Sequence, residues 1–219
     1  MRKHVIHLEG IDGAGKSALI AELSAIYGYS TFREPGGTPL GEYLREHVLY
    51  SKAYSPVSKR MMFALSRTAL QDHFLTDREG GVALVDRSLV SSLVYDMEVG
   101  MEEQIEAYHT LGVCFPEHIV YVKVAPEVAL ARLEARPQGI QDEQSFLENY
   151  IDQGLMSSTS TVLDMLKTWS ARYEDALELI CNHRLVQHKP LSVINNDELG
   201  SAVDKAFELI QQMITGSRP

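Results

Sequence analysis

The sequence contains only two cysteines, Cys114 and Cys181, and this scarcity argues against a disulfide-stabilised scaffold. The two lie far apart and show no metal-binding spacing, so we expect free thiols in a reducing compartment. Long apolar runs are missing as well, and no segment reaches the length that crosses a membrane. We therefore expect a cytoplasmic protein without a membrane partner.

An excess of positive charge is also absent. The chain has 20 Lys and Arg residues against 30 Asp and Glu residues, which gives a formal net charge of −10. A protein that binds nucleic acid non-specifically needs a basic surface to neutralise phosphates, so we expect no nucleic-acid partner. One small phosphate-binding pocket lined by a few Arg and Lys residues is still compatible with this charge.

What the chain does contain is an alternation of short apolar runs with longer helical stretches. The predicted strands are 5–8, 30–33, 82–86, 118–124 and 191–194. The predicted helices are 17–27, 40–49, 58–76, 126–134, 163–180 and 199–214, and a further helix is predicted over 88–98. Such alternation is the βαβ pattern of a parallel sheet, and it predicts a single α/β domain over residues 1–219. Residues 137–160 are rich in Gln, Ser, Gly and acidic side chains, and we interpret them as a mobile loop or lid outside the core.

A glycine-rich segment follows the first predicted strand. Its residues Gly10-Ile11-Asp12-Gly13-Ala14-Gly15-Lys16-Ser17 match the P-loop pattern G-x-x-x-x-G-K-[ST], with a strand before it and a helix after it. Glycines let the backbone close around an oxyanion, and the N–H groups of the helix N-terminus point at phosphates. We expect Lys16 to bind the terminal phosphates of ATP and Ser17 to ligate Mg²⁺. The predicted ATP-binding residues are Gly10, Gly13, Ala14, Gly15, Lys16, Ser17 and Ala18, with Asn195 near the adenine.

A second motif, VALVDR, places Asp86 at the end of a buried strand. That end of a parallel sheet faces the crevice in which ligands bind, so Asp86 is a second candidate for the Mg²⁺ site, through water. A role as helix cap is the alternative. The chain has no N-K-x-D signature, which argues against a G protein.

Four sequence blocks, EGIDGAGKS, REPGGTPLGE, MMFALSR and DRSLVSSLVY, run from Glu9 to Tyr95. In this order and spacing they closely resemble the thymidylate kinase family. The resemblance implies a three-layer α/β/α P-loop kinase fold with a five-stranded parallel sheet and a lid. It also implies Mg²⁺-assisted transfer of a phosphoryl group from ATP to a deoxynucleoside monophosphate, which would be dTMP or a modified pyrimidine analogue. Small-molecule nucleotides are therefore the implied partners. Family members are commonly homodimers, so a homodimer is implied too.

The resemblance assigns roles on the acceptor side. Arg33 and Arg87 match arginines that grip the acceptor phosphate, and Arg45 matches another arginine near it. Phe63 matches an aromatic residue that stacks on thymine, and Arg67 matches a donor to a base carbonyl. The full implied acceptor-binding set is Asp12, Arg33, Arg45, Phe63, Arg67, Arg87, Ser91, Ser92, Tyr95 and Asp96.

The implied chemistry relies on positioning and charge stabilisation, because the attacking acceptor phosphate is already ionised. The implied catalytic residues are Asp12, Lys16, Arg33, Arg87, Arg136 and Arg172. The last two are chosen because the family supplies an arginine from the P-loop or the lid, whereas residues 137–171 contain no arginine. Arg132 and Lys167 are further candidates for this place, and a slow enzyme is the remaining option; we favour Arg136 or Arg172.

Two other departures keep alternatives open. Asp96 stands where many members have a Gln that contacts the base, and a carboxylate accepts hydrogen bonds without donating them, so a base other than thymine stays open. Asp86-Arg87-Ser88 is similar to the Glu-Arg-Ser of deoxynucleoside kinases, which act on a 5′-hydroxyl. A third possibility, motivated by the arginine-free lid, is a nucleotide-binding protein that has lost turnover.

Overall fold

A computed structural model describes residues 4–76, 81–186, 191–196 and 199–215. Within these ranges the chain forms five strands and nine helices. The strands are β1 (His4–Glu9), β2 (Ser30–Arg33), β3 (Val82–Asp86), β4 (His118–Lys123) and β5 (Leu191–Asn195). The helices are α1 (Lys16–Tyr27), α2 (Pro39–His47), α3 (Pro56–Thr76), α4 (Leu89–Tyr95), α5 (Met101–Thr110), α6 (Pro126–Glu134), α7 (Gln141–Asp152), α8 (Val162–Asn182) and α9 (Leu199–Thr215).

The strands form one parallel sheet in the order β2-β3-β1-β4-β5. Helices α1 and α9 pack together, whereas α4, α6 and α7 all contact α8. Because β1 is central, the strand order switches direction beside it, and ligands of such sheets bind outside the carboxyl ends at this point. The glycine-rich loop after β1 therefore lies where a ligand is expected.

Helix α8 supplies much of the core beside this loop. It starts with a capping box in which Thr161 and Asp164 satisfy each other's backbone N–H groups. Trp169 and Tyr173 on its inner face are fully buried. The Trp169 ring packs edge-on against Tyr95 of α4, with ring centroids 4.6 Å apart. Helix α8 therefore holds α4 in place beside the loop that follows β1.

The five-stranded parallel sheet predicted from the sequence is confirmed, and each predicted strand agrees with the observed bounds to within one residue. Helices α5 and α7 were not among the predicted elements. None of the helices in the described ranges is both long and apolar enough to cross a bilayer.

The interpretation of residues 137–160 as a loop outside the core is wrong for the middle of this segment, because Gln141–Asp152 form helix α7. The phenol of Tyr150 is buried and donates a 2.5 Å hydrogen bond to the backbone carbonyl of Tyr95. Phe146 packs with the buried Trp169 ring at 5.8 Å between centroids. The polar composition hid this helix, because its apolar face is narrow and is buried only by tertiary contact with α8.

Candidate active site

A cavity of about 790 Å³ opens at the carboxyl ends of β1 and β3, which is ample room for small-molecule ligands. The loop between β1 and α1 forms one side of it, and helices α3, α4 and α7 contribute the others. Most of the residues selected from the sequence line this cavity. They are Asp12, Gly13, Gly15, Lys16, Ser17, Ala18, Arg45, Phe63, Arg67, Asp86, Arg87, Ser91, Ser92, Tyr95, Asp96 and Arg136.

The loop after β1 is shaped by glycine. Gly13 and Gly15 have φ values of 80° and 89°, in the left-handed region that favours glycine. A Cβ atom on Gly13 would lie 2.5 Å from the carbonyl oxygen of Ala129, so no side chain fits there. Gly10 and Ala14 are buried within the same turn. The loop then leads into α1, whose first N–H groups have no partner inside the helix.

Lys16 is held inside this loop. Its Nζ donates to the carbonyl oxygens of Gly10 at 2.8 Å and Ile11 at 3.0 Å. Burial lowers the pKa of Lys16 to about 8, and the positive charge of Arg87 acts in the same direction. An anionic phosphate beside Nζ would favour the charged form, so the geometry and the charge both suit phosphate binding.

Ser17 and Asp86 meet between α1 and the end of β3. The Ser17 hydroxyl donates to Asp86 Oδ2 at 2.7 Å. Asp86 Oδ1 is buried and has no hydrogen-bond partner among the residues that the structure describes. An orphaned carboxylate oxygen beside a hydroxyl, at the mouth of a phosphate-binding loop, fits a hydrated Mg²⁺. No cluster of three or more His, Cys, Asp or Glu side chains suited to a metal occurs in the described ranges.

Arg87 begins the loop after β3 and has a positive φ of 78°. This backbone turn aims the guanidinium across the cavity floor. Its Nη1 donates to the hydroxyls of Ser91 (3.1 Å), Tyr95 (2.9 Å) and Tyr173 (3.1 Å), and its Nη2 pairs with Asp12. Burial raises the pKa of Asp12, but the charges of Arg87, Lys16 and Arg136 and the Tyr95 hydrogen bond together outweigh this effect, so the net pKa lies below its ordinary value.

Ser88, the last residue of the Asp86-Arg87-Ser88 motif, has a structural role. It is the N-cap of α4, accepting from the Val90 N–H at 3.1 Å, and its hydroxyl donates to buried Glu9 at 2.6 Å. The Ser91 hydroxyl donates to the other oxygen of Glu9 at 2.8 Å. Since Ser88 caps the helix, the alternative role of Asp86 as the cap is wrong.

Helix α3 presents Arg60, Phe63 and Arg67 on one face, at spacings of three and four residues. Arg67 is buried; its Nε donates to Glu34 at 2.6 Å and its Nη2 donates to the Ser92 hydroxyl at 2.8 Å. Phe63 lines the cavity between the two arginines. This face of α3 can hold a flat ring and donate hydrogen bonds to it.

Arg33 does not reach the large cavity. Its Nη2 pairs with Glu42 at 2.5 Å, half of its side chain is exposed, and it lines a second cavity of about 360 Å³ beside Ser17 and Asp86. Helix α2 places the Glu42 carboxylate beside Arg33, so Glu42 would compete with a phosphate for the Arg33 guanidinium. Arg45, in contrast, lines both cavities and donates to the Pro35 carbonyl oxygen at 3.1 Å.

The two favoured candidates for the lid arginine have different positions. Arg136 lines the large cavity, with Nη1 3.7 Å from buried Glu143 of α7. Arg172 does not line it. Its Nε donates to the Val94 carbonyl oxygen at 2.7 Å, and its Nη2 donates to those of Leu93 (2.7 Å) and Asp96 (3.1 Å). The Arg172 guanidinium therefore lies outside the cavity, because these carbonyls at the end of α4 hold it there.

Asn195, which was selected from the sequence for the ATP site, is not the asparagine that contacts the loop after β1. Asn195 is the exposed last residue of β5, whereas Asn196 is fully buried and its Nδ2 donates to the Ala14 carbonyl oxygen at 2.7 Å. Arg132 of α6 donates to the Asn196 carbonyl oxygen at 2.8 Å. Strand alternation decides this point, since neighbouring residues point to opposite sides.

Several residues of the cavity were missed by sequence reasoning. Arg60 had a usable signal, because it lies seven residues before Arg67 and so on the same helical face. Glu34 belongs to the REPGGTPLGE block, but neither its position nor that of Glu143 gives a hint that the acidic side chain is buried.

The model of the thymidylate kinase family matches residues 8–167. The chain belongs to this family. A thymidylate kinase from Thermoanaerobacter sp. (strain X514) is 31% identical over 159 residues, covering 67% of this chain and 78% of that protein. The family membership predicted from the four sequence blocks is therefore confirmed, and the protein is a phosphotransferase of the nucleoside monophosphate kinase type.

Solved structures agree on the fold. The thymidylate kinase from Ehrlichia chaffeensis has a TM-score of 0.60 at 19% identity, covering 96% of this chain and 99% of that chain. A deoxyadenosine kinase from M. mycoides, solved with dCMP and dCDP bound, has a TM-score of 0.63 at 17% identity, covering 95% and 99%. At these identities the likeness shows the P-loop kinase fold, which was predicted, and does not choose between the two activities.

Proposed function

We propose that this member of the thymidylate kinase family transfers the γ-phosphoryl group of ATP to the phosphate of dTMP, giving dTDP. The observation that carries the proposal is that one cavity joins a complete P-loop to a second set of groups suited to a nucleoside monophosphate. Two of these, Arg45 and Arg87, are guanidinium groups next to the loop. Membership of the thymidylate kinase family also favours a phosphorylated acceptor over a free nucleoside.

The donor end is the loop from Gly10 to Ala18. Its backbone N–H groups and Lys16 would bind the β- and γ-phosphates of ATP. Ser17 and Asp86 would hold Mg²⁺, which neutralises charge on the phosphates during transfer. Asn196 and Arg132 support the loop from behind, and we place the adenine near them.

At the acceptor end, Arg87 and Arg45 would bind the phosphate of dTMP, and Asp12 would orient Arg87. Phe63 would stack on the base, with Arg67 and Ser92 at its edge. Tyr95 would lie against the sugar; its ring is fixed by Trp169 at 4.6 Å and by the Arg87 guanidinium at 5.0 Å. Arg33 would join them only after releasing Glu42.

The acceptor phosphate is itself the nucleophile, so the site needs alignment and positive charge rather than a general base. Lys16 and Arg87 approach the transfer point from the donor and acceptor sides. We propose that Arg136 supplies the remaining charge on the transferred group.

We also propose a single domain in which residues 137–160 act as the lid. Two contacts join α7 to the segment between α2 and α3 near the cavity. The Lys52 ammonium lies 3.0 Å from Asp152, and the Tyr50 and Phe146 rings are 5.3 Å apart. These contacts are where an opening of the lid would begin.

A homodimer is a further part of the proposal. Val57, Met61 and Leu65 form an apolar stripe on α3, at spacings of four residues, with 56%, 62% and 58% of their surfaces exposed. The family resemblance supports a second copy of the chain as the partner. A cytoplasmic location is proposed as well, since Cys114 and Cys181 are free thiols in the described structure.

An ADP-release assay with ATP and Mg²⁺ tests the activity. Turnover with dTMP and none with thymidine is expected. ADP formed only with thymidine would indicate a deoxynucleoside kinase, and tight ATP binding without turnover on any acceptor would indicate a protein that has lost catalysis. 5-Hydroxymethyl-dUMP, dUMP and dCMP complete the panel of acceptors.

A further inference from the structure

Arg60 lies one helical turn before Phe63, at the edge of the acceptor end of the cavity. Its Nε donates to Asp96 Oδ2 at 2.5 Å, and about a fifth of its side chain is exposed. Arg60 belongs to none of the four sequence blocks that identify the family. The proposed function therefore leaves this partly buried ion pair without a role.

The terminal nitrogen Nη2 of Arg60 is fully buried and has no hydrogen-bond partner among the described residues. Leaving a buried donor of a charged group unpaired is unfavourable, so such a group indicates a partner that arrives with the ligand. Because Arg60 lines the cavity, that partner would be an atom of the acceptor.

Asp96 is already engaged on both oxygens. Oδ2 accepts from Arg60, and Oδ1 accepts from the Glu98 backbone N–H at 3.2 Å. The carboxylate therefore fixes the plane and direction of the Arg60 guanidinium. A direct contact between Asp96 and the base would compete with these bonds.

Arg60 and Arg67 are seven residues apart on α3, with Phe63 between them, and each is held by its own carboxylate, Asp96 and Glu34. Two turns of helix separate their Cα atoms by about 10 Å. A ring stacked on Phe63 would thus have a guanidinium at each end. Both groups donate hydrogen bonds and neither accepts them.

We propose that Arg60 is a second base-reading residue of the acceptor site and that Asp96 is its positioning residue; this inference rests on the proposed function. Since guanidinium groups donate only, the pair selects bases that present carbonyl oxygens toward α3. A base with an amino group there, as in dCMP, sets donor against donor and leaves Arg60 Nη2 unpaired.

The test measures Kd by calorimetry and steady-state kinetics for dTMP and dCMP with Arg60→Met, Asp96→Asn and the double variant. Loss of a charge-assisted hydrogen bond should raise the Kd and KM of Arg60→Met for dTMP about 10- to 100-fold. The kcat should stay within about threefold, because binding of substrate and transition state is weakened equally. The preference for dTMP over dCMP should fall by a similar factor.

The double variant separates the two roles. If Asp96 acts through Arg60, Asp96→Asn weakens dTMP binding alone but adds nothing in the Arg60→Met background. Full additivity of the two effects would show that Asp96 contacts the base directly and would overturn its positioning role. Arg60→Lys should recover part of the dTMP affinity, since it restores a donor and a charge.

Arg184→Met is the matched control, because Arg184 also pairs with a carboxylate, Glu106, but on the exposed surface. It should change neither Kd nor KM. If Arg60→Met loses thermal stability while its dTMP affinity stays within threefold of the wild type, the pair is only structural and the inference fails. Wild-type protein that binds dTMP without phosphorylating it would instead contradict the proposed function, and the binding arm would still decide the role of Arg60.

Discussion

Arg136 and Lys16 both line the large cavity, and both are proposed to act on the γ-phosphoryl group. Arg136 lies two residues after the end of α6, and Lys16 is the first residue of α1. Each is placed by elements far apart in the sequence, and each is close enough to Asp12 for its charge to lower the pKa of that carboxyl. Their separate contributions can be measured.

Arg136→Ala should lower kcat by roughly 10³-fold or more, because an arginine finger acts on charge that develops in the transition state. The KM for dTMP should change little. Steady-state kinetics measure both, with Arg184→Ala as the surface control. A loss of kcat smaller than tenfold would show that another group completes the transfer.

Lys16 should make ATP binding depend on pH. Burial lowers its pKa to about 8 in the free protein, whereas bound phosphates favour the charged form. ATP affinity should therefore be constant below pH 8 and fall by up to about tenfold per pH unit as the pH rises above 8. Calorimetric titrations with Mg²⁺ and ATP at pH 7, 8 and 9 measure this change.

The matched variant for this test is Lys16→Met, which should bind ATP weakly and lack the decline above pH 8. If the decline persists in Lys16→Met, a different group is titrating. A flat profile in the wild type would mean that Lys16 stays charged throughout this range.

At the scale of elements, α4 is held at both ends. Ser88 caps its N-terminus, and Arg172 of α8 binds the carbonyl oxygens at its C-terminus. The helix carries Ser91, Ser92 and Tyr95 into the cavity. We propose that Arg172 contributes to the site by fixing α4 rather than by touching a substrate.

Arg172→Met should cost about 1–3 kcal/mol of stability, because three backbone carbonyls lose a charged donor. For a chain of this size the melting temperature should fall by roughly 2–10 °C. The kcat should stay within tenfold of the wild type. A large loss of kcat with an unchanged melting temperature would indicate that Arg172 has a catalytic role after all.

At the scale of the whole molecule, α3 serves two surfaces. One face lines the cavity through Phe63 and Arg67, and another leaves the stripe of Val57, Met61 and Leu65 uncovered. Exposed apolar side chains at helical spacing are unfavourable in an isolated chain, because water contacts them. Association through this stripe would cover them.

Leu65→Glu should convert the proposed homodimer into a monomer, since a buried, unpaired carboxylate at the interface is costly. Light scattering coupled to size exclusion measures the mass at micromolar concentration. Ile26→Glu on α1 is the control, because Ile26 is equally exposed but lies outside the stripe. A wild-type monomer, or a dimer that survives Leu65→Glu, would contradict this interface.

The sequence by itself determined the sheet, the P-loop and the family. These follow from local signals: apolar runs bounded by turns, glycines at fixed offsets, and motif blocks in a set order. Lys16, Ser17, Asp86 and Arg87 could be selected because each belongs to such a block. Their meeting in one cavity follows from the rule that parallel strands place their carboxyl ends together.

Only the tertiary structure decided which polar and charged side chains from different elements contact each other. Arg172, Arg33 and Asn195 were plausible from the sequence, but α4, Glu42 and strand alternation direct them elsewhere. Arg60 and Asp96 are 36 residues apart, and their pairing depends on how α3 packs beside α4. Side-chain partners across elements carry no local signal, because they result from packing rather than from spacing along the chain.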